Sequence, residues 1–360
     1  MFSETAGRNA EVSWLVSSRV SGGKFARSIL DLIGETPLVR ITAEGGRPVV
    51  VAKAEFANPT GSHKDRIYAC MIEEAERRGN LKPGKVIIEG STGNAGTACA
   101  MIGGLKGYRV IIVMPEGMSD ERKKLIRAMG AEIIFTPGGE SDQDLSLRRI
   151  EAMVAEEPDR YWYPCQFDNP DNPLAHYRST APELWEQTRG NIDVFLAAVG
   201  SGGTLTGVGR YLKERRPGIK LYAVEPEECP TLSSRRWGPH DIQGIGDGFV
   251  PANLALDLVD GVITVSSQEA IGKSRRVCRE QGLVVGISTG CNLAAAAKLA
   301  RRHPSLGVIA TMLFDTGHKY YSSPLFGVHK SVEVPERDHR LDDLSVRQLD
   351  KYAPGWEIIT

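Results

Sequence analysis

From about residue 38 the chain alternates short β-branched runs with longer amphipathic stretches, and that rhythm constrains the fold more than any single residue does. LVRIT (38–42), VVVAKAE (49–55), VIIE (86–89), RVIIVMP (109–115), EIIFTP (132–137), VFLAAVG (194–200), LYAVEP (221–226) and VIATML (308–313) read as strands. Most are too continuously apolar to leave one face in water. Residues 64–79, 94–106, 119–129, 141–156, 174–188, 203–215, 266–281 and 289–302 carry helical periodicity. Strand and helix in turn predict an α/β protein whose mostly parallel sheets are covered by helices. A chain of 360 residues has room for two such units, and the Pro- and Asn-rich segment 164–173 separates two blocks. The expected division is an N-terminal extension over 1–27, an α/β domain over 28–168, a second over 169–327 and a charged tail over 328–360. The strands at 37–56 are free to cross to the second domain.

Lys+Arg totals 44 against 45 Asp+Glu, a net of −1, so there is no basic field to draw nucleic acid or an acidic membrane. Aromatic residues do not interleave with basic ones, and no apolar stretch approaches the roughly 20 residues of a membrane span. No pair of histidines has metal-ligand spacing, so no metal is expected. Six cysteines without a CxxC pair sit mostly in apolar runs, which suits reduced thiols and a cytosolic protein. Residues 1–27 mix Arg8, Arg19, Lys24 and Arg27 with Glu4 and Glu11, which reads as an extension rather than a secretory or transit leader.

In open α/β sheets ligands collect at the carboxyl ends of strands, where loops enter helix N-termini. Four such loops are rich in Gly, Ser, Thr and Asn. The first, EFANPTGSHKDR (55–66), places Ser62 to cap the next helix and Lys64 in its first turn. The positive end of the helix dipole disfavours an ammonium there, which makes the Lys64 amine a candidate nucleophile toward an aldehyde. The plain alternative is a surface lysine compensated by Asp65. The second loop, EGSTGNAGTACA (89–100), gathers Ser91, Thr92, Gly93 and Asn94 into a concavity suited to a carboxylate, whereas simple N-capping needs only one of them.

The third loop is VGSGGTLTGVGR (199–210). Gly200, Gly202 and Gly203 let the backbone approach an anion and Ser201 and Thr204 add hydroxyls, so a phosphate is the physical expectation. The loop fits neither a dinucleotide fingerprint, which needs glycine where Leu205 stands, nor a Walker loop, which needs lysine where Val208 stands. Glu225, ending the next strand, keeps a nucleotide alternative open by mimicking a ribose-binding acid. The fourth loop, VVGISTGCN (284–292), reads literally as a GxSxG elbow around Ser288, with Asp315 and His318 following in hydrolase order. Against a serine hydrolase, an Asp and a His three apart do not readily form the in-line relay.

A reactive lysine, a phosphate cradle, a carboxylate turn and a hydroxyl loop together suit pyridoxal phosphate acting on an amino acid. NPTGSHKDR, STGNAG, CQFDNPDNP, GSGGTLTG, IQGIGDGFVP and GISTG also occur in an order and spacing that resemble the cysteine synthase and cystathionine β-synthase family of fold type II pyridoxal phosphate enzymes. The resemblance runs from about IGETPLVRI (33–41) to FDTGHKYYSSPLFG (314–327). It implies a tryptophan synthase β-like fold, a homodimer, and β-replacement on an O-activated L-serine through an aminoacrylate intermediate. It further implies that Lys64 holds the cofactor as an internal aldimine and moves the Cα proton. Asn94 would meet the ring hydroxyl, Gly200, Ser201, Gly202, Gly203 and Thr204 the phosphate, and Ser288 the pyridine nitrogen. Ser91, Thr92, Gly93, Asn94, Gln166 and Gly244 would hold the substrate, with Gln243 to Phe249 closing the mouth.

A hydroxyl at the pyridine nitrogen cannot keep it protonated as a carboxylate would, which favours loss of a β-substituent over transamination. Other readings remain: an L-cysteine desulfhydrase-like lyase, a cystathionine β-synthase-like enzyme, a catalytically silent regulatory homologue, or the serine hydrolase. Ala95 stands where cysteine synthases usually carry a threonine that grips the carboxylate, so one donor is missing.

Overall fold

The alternation becomes eleven strands and eleven α-helices in a computed structural model that describes residues 25–42, 48–91, 93–139, 142–327 and 341–360. Thr92, residues 1–24 of the expected extension and residues 328–340 of the expected tail lie outside the described residues. The strands are β1 (Leu38–Ile41), β2 (Val49–Ala54), β3 (Val86–Gly90), β4 (Arg109–Pro115), β5 (Glu132–Thr136), β6 (Tyr161–Trp162), β7 (Val194–Ala198), β8 (Lys220–Pro226), β9 (Gly261–Val265), β10 (Val308–Leu313) and β11 (Glu357–Ile359). They form a seven-stranded sheet in the order β1-β2-β10-β7-β8-β9-β11 and a four-stranded sheet in the order β5-β4-β3-β6. Only the β1–β2 pair is antiparallel. The strands at 37–56 therefore belong to the larger sheet, beside β10. Central strands β3, β7 and β9 are buried along their whole length, which is what continuous apolar runs covered on both faces predict.

The helices are α1 (Lys64–Arg77), α2 (Asn94–Leu105), α3 (Asp120–Ala128), α4 (Gln143–Glu156), α5 (Asp171–Ala175), α6 (Ala181–Thr188), α7 (Gly203–Arg215), α8 (Thr231–Ser234), α9 (Ser267–Gln281), α10 (Ile287–Arg302) and α11 (Asp343–Tyr352). The single helix expected over 174–188 is instead α5, a π-helical turn at His176–Thr180, and α6. Pro182 has no N–H to return to the carbonyl of Arg178, so the ladder widens there. The charged tail is also corrected. Residues 341–360 fold back as α11, capped by the Asp342 carboxylate on Ser345 N at 2.9 Å, and β11, which adds in parallel to β9. Charge on the outer face had masked the periodicity. β6 and β9 were likewise not foreseen. All six cysteines are free thiols, with Cys99, Cys229 and Cys291 buried.

Candidate active site

Loops from both sheets meet in one cleft, whose cavity amounts to about 60 Å³. The loop after β2 brings His63 and Lys64, the turn after β3 brings Ser91, Gly93, Asn94 and Ala95, and the loop after β7 brings Gly200 to Thr204. The segment after β8 adds Gln243, Gly244, Ile245 and Asp247, while α10 adds Ser288. Gln166 completes the wall. Apart from Gly203 and the undescribed Thr92, every expected site residue lines this cleft. Gly203, buried, opens α7 directly behind Gly202.

Lys64 is the first residue of α1, yet the group before it does not behave as expected. His63 occupies the cap position without a side-chain bond, and the Ser62 hydroxyl is buried with no partner. Asp65 does not compensate Lys64 either. Its carboxylate accepts from the Thr60 N–H at 2.7 Å and from the Thr60 hydroxyl, and burial pushes it up to about 6. Lys64 Nζ instead donates to Gln166 Oε1 at 3.3 Å. Burial lowers the Lys64 amine to about 8, with Asp247 and then Glu89 opposing the shift. Desolvation is the leading cause.

Behind the lysine, Gln166 Nε2 donates to the Gly90 carbonyl at 3.2 Å. Asn172 Nδ2 joins the Gln166 carbonyl at 2.7 Å to the Ser201 hydroxyl at 2.9 Å, tying the lysine wall to the glycine turn. Ser91 Oγ already accepts from Gly93 N at 3.1 Å and Gly96 N at 2.7 Å. It therefore caps α2, and its own proton remains to donate.

The glycine turn could not be built from other residues. Gly202 sits at φ +78, where a side chain is strained, and a Cβ on Gly200 would lie 2.5 Å from the Gly244 carbonyl oxygen. Thr204 Oγ1 rests on His176 Nε2 at 3.2 Å, while His176 Nδ1 meets Thr180 Oγ1 at 2.9 Å. Burial pushes His176 down to about 3, so it stays neutral. His63, stacked near His176 and Phe314, is likewise pushed well below the usual imidazole range by burial and then by Lys64.

Two alternatives fall on geometry. Glu225 is buried, with its carboxylate accepting from Leu232 N at 2.7 Å and Ser233 N at 2.9 Å; it serves the start of α8, not a ribose. Ser288 lies inside the first turn of α10, which begins at Ile287, two residues earlier than expected. Asp315 accepts from Asn94 and Tyr320, and the exposed His318 leans on Thr316, so no Ser-His-Asp relay forms. The cleft also holds residues that sequence reasoning missed. Arg122, on a helix start that reads as a charged surface, lies buried over the Tyr320 ring at 4.7 Å. Asp247, within the segment expected at the mouth, is the acidic side chain lining the cleft. Asn172 stood in plain view in CQFDNPDNP.

A half-buried amine of lowered pKa and a glycine turn at the start of a helix share one cleft between two mostly parallel sheets, the arrangement of an α/β enzyme. The chain matches the family model described as pyridoxal-phosphate dependent enzyme over residues 29–315, and it belongs to that family. It is 43% identical over 326 residues to cysteine synthase 3 of Caenorhabditis elegans, covering 89% of this chain and 96% of that protein. The crystal structure of cysteine synthase from Entamoeba histolytica is similar, with a TM-score of 0.81 and 35% identity, covering 94% of this chain and 98% of that one. A hydrogen sulfide-producing enzyme from Fusobacterium nucleatum gives a TM-score of 0.79 and 39% identity, covering 82% and 100%.

Proposed function

We propose that this chain is a pyridoxal phosphate-dependent β-replacement enzyme of the cysteine synthase type, acting on an O-activated L-serine and adding a sulfur nucleophile. The observation that carries the reading is the half-buried Lys64 amine, lowered to about 8 and held toward Gln166 in the cleft that Gly200, Ser201, Gly202 and Thr204 also line. These residues fit the cofactor: a free amine for its aldehyde, the close-packed turn and the N-terminus of α7 for its phosphate, and two hydroxyls, on Ser201 and Thr204, as further donors. Asn94 would take the ring hydroxyl and Ser288 the ring nitrogen. When bound, pyridoxal phosphate supplies an aldehyde that couples to amines and a ring that withdraws electrons from Cα.

Lys64 Nζ takes the proton from Cα of the amino acid, which lets the β-substituent leave with its bonding electrons. It returns the proton to Cα once the sulfur has bonded to Cβ. Near neutral pH an amine at about 8 holds both protonation states in usable amounts. The Ser91 hydroxyl and the backbone of its turn, with Gln166, hold the substrate carboxylate. Ala95 contributes no hydroxyl there. Ser288 offers a hydroxyl without charge, which favours β-chemistry over transamination. The segment Gln243 to Phe249 shields the site from water, with Phe249 packed edge-on to Phe167 at 5.1 Å. The enzyme works as a homodimer in the cytoplasm, with the chain divided near 168 into two α/β domains, save that β1 and β2 pair into the sheet of the second.

A second reading, β-elimination from L-cysteine with release of sulfide, draws on the likeness to the Fusobacterium enzyme. One experiment separates the two. The purified protein is given pyridoxal phosphate, treated with borohydride and mapped by peptide mass spectrometry. In parallel, turnover is profiled on O-acetylserine, O-phosphoserine, serine and cysteine, with and without sulfide or homocysteine. Label on Lys64, with a thioether or thiol product made only from an activated serine plus the nucleophile, is the expected result. Sulfide, pyruvate and ammonia from cysteine alone selects the lyase. Label elsewhere, or none, overturns the assignment of Lys64.

A further inference from the structure

Two oppositely charged side chains from the segment after β10 grip the two ends of the Asn94 amide. Lys319 Nζ donates to Asn94 Oδ1 at 2.7 Å, and Asn94 Nδ2 donates to Asp315 Oδ2 at 2.6 Å. An ammonium offers donors only and an ionised carboxylate acceptors only. The amide can therefore satisfy both in just one of its two flips. The reverse flip would set N–H against ammonium and C=O against carboxylate, so both contacts would be lost.

Neither clamp is free to drift. Asp315 is fully buried, its Oδ2 also accepts from the Tyr320 hydroxyl at 2.8 Å, and its backbone bridges to Ser62 and accepts from Gly286 N at 3.2 Å. Lys319 is 5% exposed, and its carbonyl accepts from the Ser119 hydroxyl at 3.3 Å. Burial lowers the Lys319 amine to about 8, with Asp315 opposing, so the ammonium form prevails at neutral pH. Neither side chain lines the cleft, whereas Asn94 does.

We infer that Lys319 and Asp315 are positioning residues that fix the flip of the Asn94 amide: its carbonyl is held on Lys319, and the second N–H of its nitrogen is left to donate. Lys319 does more than orient: its charge on Oδ1 polarises the amide and strengthens the N–H as a donor. The inference rests on the reading above that Asn94 meets an oxygen of the cofactor ring. A surface-like Lys in DTGHKYY thus acts on the cofactor at one remove, through a neutral side chain 225 positions away in the sequence.

A double-mutant cycle on the full chain tests it. The dissociation constant for pyridoxal phosphate is read from the cofactor's visible band for wild type, Lys319→Met, Lys319→Arg, Asn94→Ala and Lys319→Met/Asn94→Ala, together with kcat and KM. Loss of one charge-assisted contact predicts about a tenfold weaker cofactor affinity for Lys319→Met, with a shifted band. Lys319→Arg stays close to wild type, and the double variant is no weaker than Asn94→Ala alone. Cofactor affinity and band unchanged in a folded Lys319→Met overturn the inference. So does a Lys319→Met loss that persists in full in the Asn94→Ala background. If Lys319→Met does not fold, Lys319→Gln, which keeps a donor without charge, is held to the same criteria. Wild-type protein that takes up no pyridoxal phosphate would instead defeat the functional reading itself.

Discussion

Helix α1 carries two cations two residues apart, and they live in opposite surroundings. Arg66 is buried in a satisfied cluster: Nε donates to Glu55 at 2.7 Å, Nη1 to Glu183 at 2.7 Å and Nη2 to the Thr36 hydroxyl at 3.0 Å. Lys53 joins it with bonds to Glu183 and the Thr36 carbonyl, each at 2.7 Å. The result is that charge is preserved. Burial works against it, yet Arg66 and Lys53 hold Glu183 down at about 2, and Arg66 keeps Glu55 below the usual range.

On the other side, Lys64 shares its corner with Glu89, Tyr68 and Gln166. Burial brings Lys64 down and Glu89 up, each to about 8. The Tyr68 hydroxyl lies beside Glu89, but neither it nor Glu89 Oε2 completes a well-formed hydrogen bond. A complete network fixes protons and builds architecture, whereas an incomplete one leaves protons free to move.

The contrast breaks if Lys64 and Arg66 can exchange roles. Lys64→Ala should cut turnover at least about 10³-fold in a steady-state assay. Its urea midpoint should hold or rise, because a desolvated amine is removed. Arg66→Met should do the reverse, leaving Glu55 uncompensated at a cost of about 3–5 kcal/mol in urea unfolding.

Proton linkage sharpens the comparison. With Glu89 at about 8 folded against 4.5 in the open chain, the folded state holds a proton the unfolded state lacks between those values. Glu89 therefore makes stability fall as pH rises from 4.5 to 8. Glu183, at about 2 folded, contributes stability that is present above 4.5 and lost as pH falls toward 2. In thermal melts across pH, Glu89→Gln should flatten the neutral limb and leave the acid limb in place.

The smallest effects come from two single hydroxyls. Thr36 donates to Glu55 at 2.7 Å and accepts from Arg66, so Thr36→Val should cost about 1–3 kcal/mol. Tyr68→Phe, which removes a hydroxyl without a partner, should stay within about 1 kcal/mol of wild type. Equal losses at the two sites would show that the corner around Lys64 is as fully bonded as the Arg66 cluster.

Much of the fold was legible because its signals are local. The apolar runs that became β3, β4, β7 and β10 and the turns holding Lys64, Asn94 and Gly202 are patterns within a few neighbouring residues. β6 is two residues long and β11 three, too short to carry a period. β11 gains its place by adding to β9, and the Tyr222 hydroxyl of β8 donates to Glu357 at 2.6 Å. Arg122 in the cleft and Lys319 behind Asn94 escaped notice because a charged side chain on a polar stretch looks like surface until another segment covers it.

The alternation of strand and helix, the positive-φ turn at Gly202 and a lysine opening a helix were written in the chain itself, since each depends on backbone geometry over one or two turns. Which titratable groups keep their charge was not. That depends on how much water is excluded and which partners arrive from segments dozens or hundreds of positions away, so Lys64 and Arg66 differ in kind only once the two sheets have closed around α1.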